Sequence, residues 1–141
     1  MPDRHEGGCL CDAIRYRIHS IFDVVYCHCA KCRRRCGAPV SLSVVVPKGE
    51  FELIKGAPAS FRSSGVGANH FCSICGTQLY FVEDRGPYVS VSHGSLDEPE
   101  SVRPRAHQWL GSALSWFHID DGLPSFADGH LTHPDRRSEL R

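Results

Sequence analysis

A chain of 141 residues with 41% hydrophobic and 23% charged residues has the makings of one domain with a modest core. Its 16 basic and 16 acidic side chains cancel, which removes the global attraction on which nucleic-acid binding leans. No stretch approaches the roughly 18 apolar residues of a membrane span, so neither nucleic acid nor membrane is expected as a partner.

Residues 1–8 contain no apolar core of a signal peptide, and the chain is expected to be cytoplasmic. Reducing conditions there make disulfides rare, so its eight cysteines point to metal ligation. Residues 13–18 alternate apolar and polar side chains, as a half-buried strand does. The helical candidate is short, 30–36, stopped by Gly37 and Pro39. Residues 40–46 read as a strand ended by Pro47, and 51–55 as a short strand stopped by Gly56. Segments 78–82 and 88–92 should pair across the polar turn 83–87, and 115–119 reads as a late strand. Short strands separated by Gly and Pro predict a mainly β domain of short antiparallel strands over 1–126. A polar C-terminal tail, 127–141, should follow.

The cysteines fall into groups. Cys72-Ser73-Ile74-Cys75-Gly76 lies between two β segments, where a tight turn aims both sulfurs at one ion and the glycine accepts positive φ. Structural zinc takes four N or S ligands in a tetrahedron, so this pair needs two more. Cys9 and Cys11, placed after Gly7-Gly8 and before the first strand, are the natural partners. A redox role for the CxxC would call for a strand–helix setting, which is missing here. Zinc is therefore expected on Cys9, Cys11, Cys72 and Cys75.

Cys27, Cys29 and Cys32 differ in kind. Three thiolates within six residues can hold zinc and leave one coordination position open, as catalytic sites do. Cys36, four residues beyond Cys32 on the same helical face, is either the fourth ligand of a closed site, a small buried hydrophobe, or an exposed thiol beside the metal. His28 should point away from the metal or toward a substrate, because neighbours on extended backbone face opposite sides. His70, His93, His107 and His118 read as surface or hydrogen-bonded core histidines, and Trp109, Trp116 and Phe117 as core or pocket wall.

With these motifs in order, the chain resembles the glutathione-dependent formaldehyde-activating enzyme family. The likeness rests on Gly7-Gly8-Cys9-x-Cys11, Cys27-His28-Cys29-x-x-Cys32-Arg33, Gly37-Ala38-Pro39, Phe71-Cys72-x-x-Cys75-Gly76-Thr77, Gly94-Ser95-Leu96-Asp97-x-Pro99 and Asp121-Gly122-Leu123-Pro124. It spans residues 7–126. The resemblance implies a tent-like, zinc-bound β fold with a structural zinc on Cys9, Cys11, Cys72 and Cys75. A second zinc, on Cys27, Cys29 and Cys32, is implied to be tied to activity.

The implied reaction is addition of glutathione to formaldehyde, classed as a carbon–sulfur lyase for the reverse direction. Arg33, Arg34 and Arg35 offer guanidinium groups to a glutathione carboxylate. Because thiols add to formaldehyde without a catalyst, and the family also includes a centromere-associated eukaryotic member, the alternative is a non-catalytic zinc-stabilised module that binds glutathione or a protein.

Overall fold

Alternation along the chain sets which side chains go inward. In the computed structural model, which describes residues 4–129, strand β2 (Arg15–Ile18) buries Tyr16 and Ile18 completely while Arg15 and Arg17 stay partly exposed. It pairs antiparallel with β1 (His5–Gly8) on one side and β5 (Phe51–Lys55) on the other. Gly7 lies against the Tyr16 hydroxyl and the Ser95 carbonyl, a gap that admits no Cβ. The buried Tyr16 hydroxyl is 2.6 Å from Ser95 Oγ, and desolvation pushes its pKa up to about 12.

The chain divides into two compact units. The first comprises the chain up to Asp23 together with Val44–Arg103. It holds the β1-β2-β5 sheet and a second run of strands in the order β4 (Ser41–Pro47), β9 (Tyr88–Ser92), β8 (Gln78–Glu83), β7 (Gly67–Phe71) and β6 (Ala59–Phe61). The β6–β7, β7–β8 and β8–β9 pairs are antiparallel. Val44, Val45 and Val46 are all buried, so both faces of β4 are covered at that point. Phe51 stacks on Tyr16 and meets Tyr80 at a tilt, and Phe22 stacks on Tyr88, extending this core.

The second unit comprises Val24–Ser43 and the chain from Pro104 onward. Here β3 (Asp23–Cys27) runs parallel to β10 (Ala106–Gln108), with Gln108 opposite Cys27. Residues 124–126 run beside β10: His107 N–H donates to the Pro124 carbonyl and Phe126 N–H to the His107 carbonyl, each 2.9 Å. Helix α1 (Ala30–Cys36) starts on Cys29 and ends on Gly37, whose φ of 71° is the left-handed stop that glycine permits.

The mainly β class holds, as do strands at 51–55 and 88–92 and the helix at 30–36. The late strand at 115–119 does not form. Phe117 N–H closes a local turn onto the Leu114 carbonyl at 3.2 Å, and Trp116 stands 70% exposed, so this apolar run pairs with no sheet edge. Trp116 is therefore not a core residue. Residues 130–141 of the expected polar tail lie outside the described residues.

Candidate metal centres

The first cluster is built by two turns that do the same thing. After β1, Cys9 N–H donates to the Ile14 carbonyl and Asp12 N–H to the Cys9 carbonyl, both 3.1 Å, with Asp12 at φ 66°. Between β7 and β8, Cys72 N–H donates to the Thr77 carbonyl at 3.0 Å and Gly76 N–H to the Cys72 carbonyl at 2.8 Å, with Gly76 at φ 80°. Each turn aims an amide at its first sulfur: Ile14 N–H at Cys9 Sγ, 3.3 Å, and Cys75 N–H at Cys72 Sγ, 3.4 Å. Such donors favour the thiolate form.

The four Sγ atoms of Cys9, Cys11, Cys72 and Cys75 all lie within 4.8 Å of one another. Cys9 to Cys11 and Cys11 to Cys72 are each 3.7 Å. Sulfurs about 2.3 Å from a metal at the corners of a tetrahedron stand about 3.8 Å apart, so the set fits a tetrahedral ion. Thr77 ties the two turns together. Its hydroxyl oxygen accepts from Leu10 N–H at 3.0 Å, and its O–H, 3.2 Å from Cys75 Sγ, donates to that sulfur. The Thr77 hydroxyl, helped by its backbone, holds Cys75 down at about 5. Cys9 is also lowered: burial opposes this, but the Ile14 amide and the Cys11 and Cys72 thiols outweigh it. Cys11, although the Ala13 amide favours its thiolate, is pushed up to about 12 by desolvation and the neighbouring sulfurs. Packed sulfurs cannot all carry charge unless a cation joins them.

The second cluster lies where β3 runs into α1. Cys27 ends the strand, Cys29 caps the helix by accepting Cys32 N–H at 3.3 Å, and Cys32 sits in the first turn. Their three Sγ atoms also lie within 4.8 Å of one another, and no fourth Cys, His or carboxylate among the described residues joins them. Donation from Cys27, reinforced by the charge of Arg35, brings Cys32 down to about 5, while the Cys27 thiol moves up in turn. Arg35 Nη2 is 3.6 Å from Cys32 Sγ. Cys36 stays outside this group: its exposed thiol points at the Arg33 and Val40 carbonyls, 3.8 Å from each.

Arg33, read from the sequence as a carboxylate binder, is engaged elsewhere. Its Nη1 donates to the His28 and Ser112 carbonyls, both at 2.6 Å, and so bolts the 110–112 turn to the cysteine segment. His28 stays outside the group of thiols and is buried with its Nε2 3.0 Å from His107 Nδ1. His107 Nε2 lies 2.9 Å from Asp121 Oδ2. Burial, aided by the charges of His107 and Arg33, holds His28 below its ordinary pKa. Thr77, His28 and Asp121 fall inside the quoted motifs, but spacing does not say what they touch, since the partners of Thr77 and His28 lie as far as 79 residues away.

The family described as glutathione-dependent formaldehyde-activating enzyme matches residues 4–112, more than half of the chain. The chain belongs to this family. A Halomonas elongata protein, provisionally named a glutathione-dependent formaldehyde-activating enzyme, is 30% identical over 127 residues, covering 82% of this chain and 80% of the relative. An uncharacterized lyase of Schizosaccharomyces pombe is 34% identical over 91 residues, covering 62% and 65%. A crystal structure of a Rhodobacter sphaeroides protein superposes with a TM-score of 0.56 at 18% identity, covering 86% of this chain and 98% of that one, which is a likeness of fold. For this member of the formaldehyde-activating family, both cysteine clusters are suited to metal. Among the described residues, no helix is long and apolar enough to cross a membrane.

Proposed function

We propose that Cys9, Cys11, Cys72 and Cys75 hold a structural zinc, that Cys27, Cys29 and Cys32 hold a second, and that the protein adds glutathione to formaldehyde at the second. The observation that carries this reading is the three-thiol group with no fourth ligand among the described residues. Two features support it further: all-sulfur donor sets favour zinc among the common divalent ions, and the relatives' names specify glutathione and formaldehyde.

Zinc in a three-thiolate site supplies a Lewis acid that keeps an incoming thiol as its nucleophilic thiolate. In the reaction the glutathione sulfur forms a bond to the aldehyde carbon, the C=O π pair moves to oxygen, and that oxygen takes a proton as the thiol loses one. The chain's residues hold the frame for this step. Cys29 caps α1, Arg33 fixes the carbonyl between Cys27 and Cys29, and Arg35 places positive charge beside Cys32. Arg34 and Lys31, both exposed on α1, offer positive charge to a glutathione carboxylate.

The test is exchange NMR of glutathione with formaldehyde in the presence of protein carrying two zinc ions per chain. Formation of S-hydroxymethylglutathione should exceed the uncatalysed rate and return to it in Cys29→Ser. A rate equal to background with both sites loaded refutes catalysis, and tight glutathione binding in that protein would make it a binding module.

A further inference from the structure

We infer that Asp121 and His107 are positioning residues for the second cysteine cluster and act on it through His28. The inference rests on the reading that this cluster holds a metal. His28 lies between two of the thiols in the chain; it is 2% exposed, and its Nε2 reaches His107 Nδ1 at 3.0 Å.

The hydrogen-bond directions follow from what each group can donate. An ionised carboxylate only accepts, so His107 Nε2 carries the hydrogen it shares between Asp121 Oδ2 at 2.9 Å and Oδ1 at 3.1 Å. His28 Nδ1 is buried with no partner among the described residues, so a hydrogen there would be an unsatisfied buried donor. The His28 hydrogen therefore sits on Nε2, and His107 Nδ1 accepts it at 3.0 Å. The Asp121 carboxylate thus sets the His107 tautomer, and the buried Nδ1 sets that of His28.

The rest of His28 is held as firmly. Its N–H donates to the Gln108 carbonyl at 3.1 Å, and its own carbonyl accepts from Arg33 at 2.6 Å. His107 is stacked on Tyr26 with ring centroids 4.7 Å apart, and Leu123 N–H donates to Asp121 Oδ1 at 3.1 Å. Ring, N–H and C=O are all tied, which restrains the backbone carrying Cys27 and Cys29. A metal on these thiols therefore meets a preset pair of ligands, although neither histidine touches it. Partners of this outer kind typically change metal affinity by about 10–100-fold.

The test uses the full chain loaded with zinc. In long-range nitrogen–proton spectra of histidine-labelled protein at neutral pH, His28 and His107 should both be the Nε2–H tautomer. Asp121→Ala should release the His107 tautomer and weaken the second zinc at least about tenfold by chelator competition, with the first zinc unchanged. Asp121→Asn, which keeps an acceptor oxygen, should restore both. An Nδ1–H signal on His28, an Asp121→Ala affinity within twofold of the parent, or equal weakening of both zincs overturns the inference. A parent protein that binds one zinc overturns the metal reading itself, so the two failures are distinguishable.

Discussion

Replacing Cys72 by serine separates the two clusters by their load on the fold. Cys72 is buried, and its sulfur lies 3.7 Å from that of Cys11, 61 residues earlier. A cross-link closing a loop of that length removes about 4 kcal/mol of chain entropy from the unfolded state at 25 °C. Domains of ordinary stability have about 5–15 kcal/mol in all, so losing the link consumes much of the margin. For a chain of this size it corresponds to a fall in Tm of about 10–20 °C. Cys29→Ser makes the contrast, because the second cluster joins only residues 27–32, whose ends β3 and α1 already hold in place. The assay pairs thermal unfolding, followed by circular dichroism, with zinc counted per chain. Cys72→Ser should lose one zinc and the larger share of Tm; Cys29→Ser should lose one zinc with a Tm drop less than half as large. Equal Tm losses, or a Cys72→Ser protein that keeps two zincs and its Tm, would refute the division of labour.

Thr77→Val removes the acceptor for Leu10 N–H and the donor to Cys75 while keeping the side chain's shape. It should weaken the first zinc by about 10–100-fold in chelator competition and leave the second untouched. Arg15 donates to Asp97 Oδ1 at 2.9 Å, and that bond holds the Asp97 carboxyl below its ordinary range. A lowered carboxyl pKa stabilises the fold fully above the unfolded value of about 3.9 and loses that contribution as pH falls through the folded value. Because 48% of the Asp97 side chain is exposed, solvent screening limits the pair to about 0.5 kcal/mol. Urea unfolding should therefore show Arg15→Met less stable by that amount at pH 7, the gap closing below about pH 3.

Local pattern made several parts of this protein legible. Strand β2 could be read because one of its faces is buried and the other is not, so burial writes a two-residue period into the chain. Strand β3 wrote no such period: Asp23, Val24 and Val25 are all buried, as is Cys27, which leaves only a short apolar run. At 115–119 the pattern misled, since alternation shows that a segment suits an edge but not that an edge is offered. The thiol groups were legible because metal ligation needs sulfurs brought together by tight turns, and tight turns leave close spacings and glycines behind.

By itself, then, the sequence determined the mainly β class, the short helix at 30–36 and the partition of seven cysteines into a set of four and a set of three. Tertiary structure decided the rest. It turned the Cys36 thiol toward two carbonyls and away from the group of three, engaged Arg33 with the His28 and Ser112 carbonyls, and brought Asp121 and His107 behind His28. Each of these depends on hydrogen bonds whose directions are set by packed backbone, and some join residues 79 apart. Spacing along a chain encodes what one turn can do; it carries no record of which distant segment will come to lie against it.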